Sequence, residues 1–191
     1  NMDKTTVKRI SPIEGHYTPG HFGDTSDSNI IFHELKNLKL YQIAFWPETR
    51  NNLEAYLKEL FSIESIPDPN QSIIQKNVAL MRIEPLKIWV LGVSDPIPEP
   101  EGSVILDLSH SRLQLQISGP KTTTLLNGFL PIDLRETAFP IGKFTSTSFH
   151  HVGITLWRTR AGYNLFIPRG FSLSLWELLL DGAAQFGYDV I

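Results

Sequence analysis

Residues 175–186 impose the strongest constraint on what this chain can fold into. Leu175, Trp176, Leu178, Leu179, Leu180, Ala183, Ala184 and Phe186 leave only Glu177, Asp181 and Gln185 as a polar line, spaced at i, i+4 and i+8. At 3.6 residues per turn, such a helix is apolar around most of its circumference and must be covered on more than one side. The expectation is a central helix between sheets, or a helix with one face closed by another subunit. Ser174 and Glu177 fit the capping box that opens it, and Gly187 fits its C-terminal cap. The face carrying Leu175, Trp176, Leu179 and Leu180, with Arg169 just ahead of it, is the candidate partner interface.

The rest of the chain falls into two similar runs. Tyr41, Ile43 and Phe45 alternate with Gln42 and Ala44 as a strand, which Trp46-Pro47 stops. A helix over Glu48–Phe61 follows, with Leu53, Tyr56, Leu57, Leu60 and Phe61 on one stripe. Pro67-Asp68-Pro69-Asn70 makes a loop, and strands over Ala79–Ile83 and Lys87–Leu91 flank Glu84-Pro85. The proline-rich stretch 95–102 divides the chain. Beyond it Val104–Leu108 is extended and Leu113, Leu115 and Ile117 alternate with Gln114, Gln116 and Ser118. Gly119-Pro120 opens a short helix through Leu126, with the proline in its first turn. Phe144–Phe149, Val152–Arg158 and Tyr163–Ile167 form a meander. The reading is α+β: two small lobes of mixed or antiparallel sheet with packed helices, over 38–100 and 101–191. Residues 1–37, rich in Thr, Ser, Gly and Asp, read as a flexible N-terminal arm.

Composition excludes several classes. The 191 residues carry 17 Lys+Arg against 20 Asp+Glu, a net charge of -3 that does not suit sequence-independent nucleic-acid or anionic-membrane binding. With no cysteine there is no disulfide, thiolate metal site or cysteine nucleophile. No apolar run approaches the ~18 residues of a membrane span. Nothing near Met2 resembles a secretory leader, Asn1 reads as a scar of expression, and the expected compartment is the cytoplasm. Residues 101–191 hold only 14 charged side chains, so this half either buries much of itself or presents apolar surface to a partner.

Catalytic chemistry is hard to place. His150-His151 is the one adjacent pair among six histidines, and on a strand the two rings would point to opposite faces, one buried and one exposed. His16 and His21 lack further ligands. Asp107, Ser109 and His110 supply triad residue types, but three side chains on one extended segment cannot converge as a triad does. Asp107 and Ser109 are expected to bond the backbone instead. Trp89, Trp157, Phe149, Phe166 and Trp176 can line a flat pocket for a pterin or flavin ring, or fill the core, which aromatics usually do. Arg158, Arg160 and Arg169 can meet a carboxylate tail or an acidic partner, or stay solvated. No catalytic or metal set is expected.

The segment Asp107-Leu108-Ser109-His110-Ser111-Arg112, with Leu113–Ser118 and Gly119-Pro120, resembles the opening motif of the gamma subunit of heterotetrameric sarcosine oxidase. The likeness continues through Leu130–Leu134, Phe139–Gly142, His151–Ile154, Ile167-Pro168-Arg169-Gly170-Phe171, Ser174–Glu177 and Phe186-Gly187. More distantly the second half resembles the folate-binding domain of the glycine-cleavage aminomethyltransferase. The stretch Phe149–Trp157 has no carboxylate to serve folate chemistry, so that likeness implies the fold and not the transfer. The resemblance implies a non-catalytic gamma subunit with no cofactor of its own. It also implies alpha, beta and delta partner subunits that carry FAD, FMN, NAD and tetrahydrofolate and oxidise sarcosine to glycine. A free-standing folate-binding module or weak aminomethyltransferase is the alternative.

Overall fold

The computed structural model describes residues 9–94 and 96–191; the readings of residues 1–8 lie outside them. The chain begins with strands β1 (Gly20–Phe22), β2 (Ile30–Glu34) and β3 (Leu40–Phe45), then helix α1 (Arg50–Phe61). Strands β4 (Ser72–Gln75), β5 (Val78–Glu84), β6 (Lys87–Leu91), β7 (Ser103–Asp107) and β8 (Arg112–Ser118) follow. Helix α2 (Thr122–Asn127), the meander β9 (Phe144–Phe149), β10 (Val152–Thr159) and β11 (Gly162–Pro168), helix α3 (Ser172–Ala184) and β12 (Tyr188–Val190) complete it.

Two sheets result, and the fold is α+β. One has seven strands in the order β1-β12-β2-β8-β11-β10-β9, with β12 and β2 parallel and the other neighbours antiparallel. The other has five antiparallel strands in the order β4-β5-β6-β3-β7. Their apolar faces meet through Leu40, Met81, Trp89 and Leu91 of the smaller sheet and Phe144, Trp157 and Phe166 of the larger. Trp89 meets Phe166 edge-on at 5.5 Å between ring centroids. Helix α1 covers the far side of the five-stranded sheet, where Leu53 and Leu57 pack on Tyr41, Ile43, Leu80, Ile88 and Val90. Helices α2 and α3 cover the far side of the seven-stranded sheet, over Phe32, Leu115, Leu165 and Ile167. The order is helices, sheet, sheet, helix, so α3 lies on an outer face rather than between the sheets.

Strand membership moves the divide between the two runs. β7 lies past residue 100 yet pairs with β3, and β2 lies ahead of residue 38 yet pairs with β8 and β12. The described part of the N-terminal segment is therefore built into the sheet, not a flexible arm. Its polar residues have a definite task at the end of α3. Asp24 N donates to Ala184 O (2.8 Å), Asn29 N to Gly187 O (3.2 Å), Asn29 Nδ2 to Phe186 O (2.7 Å) and Thr25 Oγ1 to Phe186 O (3.1 Å). These donors engage the last carbonyl of α3 and those of the two residues that follow its C-cap Gln185. Gly187 turns there at φ 74°, and an added Cβ would lie 2.3 Å from Asp27 O, so only glycine allows the clasp to close.

The same segment supplies the missing cover for α3. Ile13 is fully buried, Tyr17 stacks on Trp176 at 5.5 Å, and Trp176 Nε1 donates to His16 O at 3.0 Å. On another side Phe129 and Leu125 reach Gly182 so closely that an added Cβ would lie 2.8 Å from the Phe129 ring. A glycine inside this helix thus admits a neighbouring aromatic.

Local details differ from expectation for identifiable reasons. α3 begins at Ser172 with Phe171 at its N-cap, so Ser174 and Glu177 lie within the helix and form no capping box. α2 begins after Lys121, which leaves Pro120 ahead of the first turn. Leu60 points to solvent, since Leu53 and Leu57 already fill the α1 contact. β4 carries no alternation in sequence and owes its extension to pairing with β5.

Two predictions follow from this packing. Leu179→Ala should lower unfolding free energy by about 2–5 kcal/mol in a urea titration, the cost of a cavity in a dense core. His21 is bonded at both nitrogens, Nδ1 to Asp189 Oδ1 (2.7 Å) and Nε2 to Thr25 O (2.8 Å), pinning β1 to β12. The bond to Asp189 and then that to Thr25 raise the imidazole pKa above its ordinary 6.5, while Ser28 and His21 hold the Asp189 carboxyl low. The His21 contribution should be complete below pH 6.5 and fade as pH rises through the raised value; that of Asp189 fades as pH falls through its depressed one. A proton NMR titration of His21 should show the elevated midpoint, and Asp189→Asn should bring it down.

Candidate functional site

The segment Asp107–Arg112 crosses from the smaller sheet to the larger, and its side chains fasten that crossing. Ser109 N donates to Asp107 Oδ1 at 2.8 Å. The buried Ser109 Oγ accepts from Leu40 N at 3.0 Å, at the start of β3. Desolvation works against the Asp107 carboxylate, but hydrogen bonds from Ser109 and the nearby His110 and Lys39 outweigh it and hold the pKa below the ordinary value. His110 is exposed and Ser109 is bound to backbone, so the three do not form a triad.

Beside this crossing the structure brings together residues that are far apart in sequence. A cleft of about 220 Å³ is lined by Arg9, Lys36, Arg112 and Arg169, together with Glu14 and Glu34. Arg9 reaches Leu38 O (2.7 Å) and Ser109 O, Arg112 Nη1 reaches Ser111 O (3.1 Å), and Arg169 Nη2 reaches Ile10 O (2.7 Å). None of the three guanidinium groups pairs with a carboxylate among the described residues. Desolvation lowers the Arg112 pKa, and Arg9 is lowered by desolvation and by Arg169, against the pull of Asp107. Such a cleft can accept a small anion; its lining also includes Ser11, whose Oγ donates to the buried Glu34 carboxylate. Arg112 and Arg169 belong to motifs visible in the sequence, whereas Arg9 and Lys36 carry no sequence signal that would join them.

The other candidate residues separate. Leu175, Trp176 and Leu179 turn into the chain's own core and offer no surface to a partner; Leu180 is half-buried against that core and Arg169 is exposed at the cleft. Trp89, Trp157 and Phe166 fill the space between the sheets, while Phe149 and Trp176 lie on the helical side, so the five aromatics line no common pocket. His150 and His151 form the β9–β10 turn and both are exposed, because His150 takes a positive φ of 49° and ends the strand. Arg158 donates to Phe139 O (2.7 Å) and lies over the Tyr163 ring, and Arg160 is exposed at a turn. No group of three metal-ligating side chains occurs among the described residues.

Ser109→Ala removes the acceptor for a buried backbone N–H and should cost about 1–3 kcal/mol of unfolding free energy. A thermal melt checks this, the lost bond being the one that ties the β7–β8 crossing to Leu40 of β3.

No protein-family model matches the chain. Among curated proteins it is similar to three sarcosine oxidase gamma subunits. It is 29% identical over 92 residues to that of Corynebacterium sp. (strain P-1), covering 48% of this chain and 45% of that protein. It is 31% identical over 87 residues to that of strain U-96, covering 45% of this chain and 42% of that protein. The Arthrobacter sp. subunit is 32% identical over 71 residues, 37% of this chain and 35% of that protein. These alignments thus span less than half of each relative. Among solved structures, a chain of the heterotetrameric sarcosine oxidase from Corynebacterium sp. U-96 superposes with a TM-score of 0.77 at 18% identity, covering 91% of this chain and 94% of that one. The glycine-cleavage aminomethyltransferase T of Bartonella henselae gives a TM-score of 0.60 at 12% identity, covering 84% of this chain and 48% of that one. The resemblance to sarcosine oxidase gamma subunits is therefore borne out, in sequence over part of the chain and in fold over nearly all of it.

Proposed function

We propose that this chain is the non-catalytic gamma subunit of a heterotetrameric sarcosine oxidase. The observation that carries the reading is the fold match to a chain of that enzyme, which accounts for 91% of this protein and 94% of the other. Sequence similarity to three proteins named as gamma subunits supports it independently. The aminomethyltransferase likeness extends over only 48% of that protein, which supports a shared fold and does not favour a free-standing folate module.

In this reading the alpha, beta and delta subunits are the partners, and FAD, FMN, NAD and tetrahydrofolate belong to them. The assembly oxidises sarcosine to glycine with formation of hydrogen peroxide, and passes the one-carbon unit to tetrahydrofolate when it is present. This chain contributes a rigid double-sheet body. No described helix is long and apolar enough to cross a membrane, which is compatible with a cytoplasmic assembly.

Affinity purification of the tagged chain from its native cells tests the reading. A yellow eluate with larger co-purifying chains and sarcosine-dependent peroxide formation is expected. A colourless, inactive monomer overturns it, and binding of tetrahydrofolate by that monomer would then favour the folate module.

A further inference from the structure

Leu175, Trp176 and Leu179, expected from sequence at a partner interface, are buried in the chain's own core, and the open edge of the five-stranded sheet has the character a docking surface needs. Among the described residues β7 ends that sheet and pairs with β3 alone. Leu108 N donates to Leu40 O at 2.9 Å, and the register places Leu106 opposite Gln42 and Val104 opposite Ala44. Antiparallel alternation therefore turns the amides of Leu106 and Val104 toward β3, and those of Ile105 and Asp107 outward. Among the described residues no hydrogen bond meets the outward groups of Ile105 and Asp107.

The side chains beside this edge are apolar and uncovered. Val104 is 50% exposed and Leu106 is 53% exposed. Both lie on the strand face turned toward the seven-stranded sheet, but beyond its cover. Trp46, 51% exposed, and Leu86, 38% exposed, stand at the same end, where Phe45 N donates to Leu86 O at 3.0 Å. Natural edges are usually blunted by charge, proline or bulges. The edge strand β9 of the opposite sheet exposes polar Ser146 and Ser148 rather than apolar side chains. β7 reads Ser-Val-Ile-Leu-Asp and carries no such protection before Asp107.

Charge identifies the occupant. Glu48, Glu99, Glu101 and Asp107 are exposed around the edge, and none forms an ion pair among the described residues. Glu48 is brought there because Thr49 Oγ1 donates to Gly102 O at 2.9 Å. The nearby cations Arg50 and Lys87 are already engaged with Glu54 and Glu84, and Lys39 and His110 stand by Asp107, which leaves Glu48, Glu99 and Glu101 as the open part of the rim. A second copy of this chain would bring the same acidic rim against itself, which like-charge repulsion opposes.

Resting on the subunit reading, we propose that β7 is extended by a strand from a different subunit of the assembly. That strand presents apolar side chains to Val104 and Leu106 and Lys or Arg to the acidic rim. Backbone bonds to the outward groups of Ile105 and Asp107 supply affinity, and the apolar pockets and charge supply selectivity.

The test uses the tagged full chain in its native cells, with Val104→Lys/Leu106→Lys as the variant and Ser148→Lys on β9 as the control. Wild type and control should recover flavin absorbance in fixed ratio to the tagged chain. The double variant, with an unchanged circular-dichroism spectrum, should recover about thirtyfold less, the scale of losing an interface hot spot. Hydrogen exchange of residues 103–108 should slow in the complex relative to the free chain. Undiminished recovery by the folded double variant, or protection confined to other segments, overturns the edge assignment while leaving the subunit reading intact. A wild-type dimer abolished by the double variant overturns it too, by making a second copy the occupant. A wild type that recovers no flavin removes the subunit reading and this inference together.

Discussion

The burial of α3 governs the rest of the structure. A helix with so narrow a polar line cannot sit on one sheet face and leave its other sides in water. The chain covers it three times: with the seven-stranded sheet, with Leu125 and Phe129, and with its own N-terminal segment through Ile13 and Tyr17. The last cover also explains the sheet order. Because residues 9–29 wrap α3 and clasp its end, β2 is delivered between β8 and β12, and its parallel pairing with β12 closes the far side of the sheet.

A second constraint lies where the sheets face each other. Gln114 and Asn164 are buried on the inner face of the larger sheet, and Gln114 Nε2 donates to Asn164 Oδ1 at 3.1 Å. Trp157 Nε1 donates across to Ser72 Oγ at 2.9 Å. Buried polar groups must be satisfied; the first bond ties β8 to β11 within the larger sheet, and the second fixes the placement of the smaller sheet against it. The overhang of the smaller sheet follows from that placement, and it leaves Val104 and Leu106 uncovered. The surface proposed for docking is thus a consequence of how the core is registered.

The arginine cleft has a similar origin. Arg112 and Arg169 are neighbours because β8 pairs with the end of β11, and Arg9 joins them because the N-terminal segment returns across the crossing at Ser109. Its three guanidinium groups give it the chemistry of an anion acceptor.

Much of the local structure was legible from residues alone. Period-two runs such as Leu113–Ile117 became strands, the Leu53–Leu57 stripe became the buried face of α1, and Asp107 and Ser109 bonded backbone as expected. The motifs from Asp107 to Gly187 also pointed to the family resemblance, because those spacings are set within short stretches of chain. What escaped was everything decided at long range. Residues 20–34 look loop-like because Thr25, Asp27 and Asn29 are polar, yet Thr25 and Asn29 donate to the Phe186 carbonyl just past the end of α3, more than 150 residues away. The helix pattern states that α3 must be covered, but periodicity along one helix holds no information on which surface covers it. By itself the sequence determined the elements and their apolar faces, since those depend on neighbours within a few turns. Only the tertiary structure decided which faces met inside one chain and which remained open, since burial is a competition among all surfaces at once.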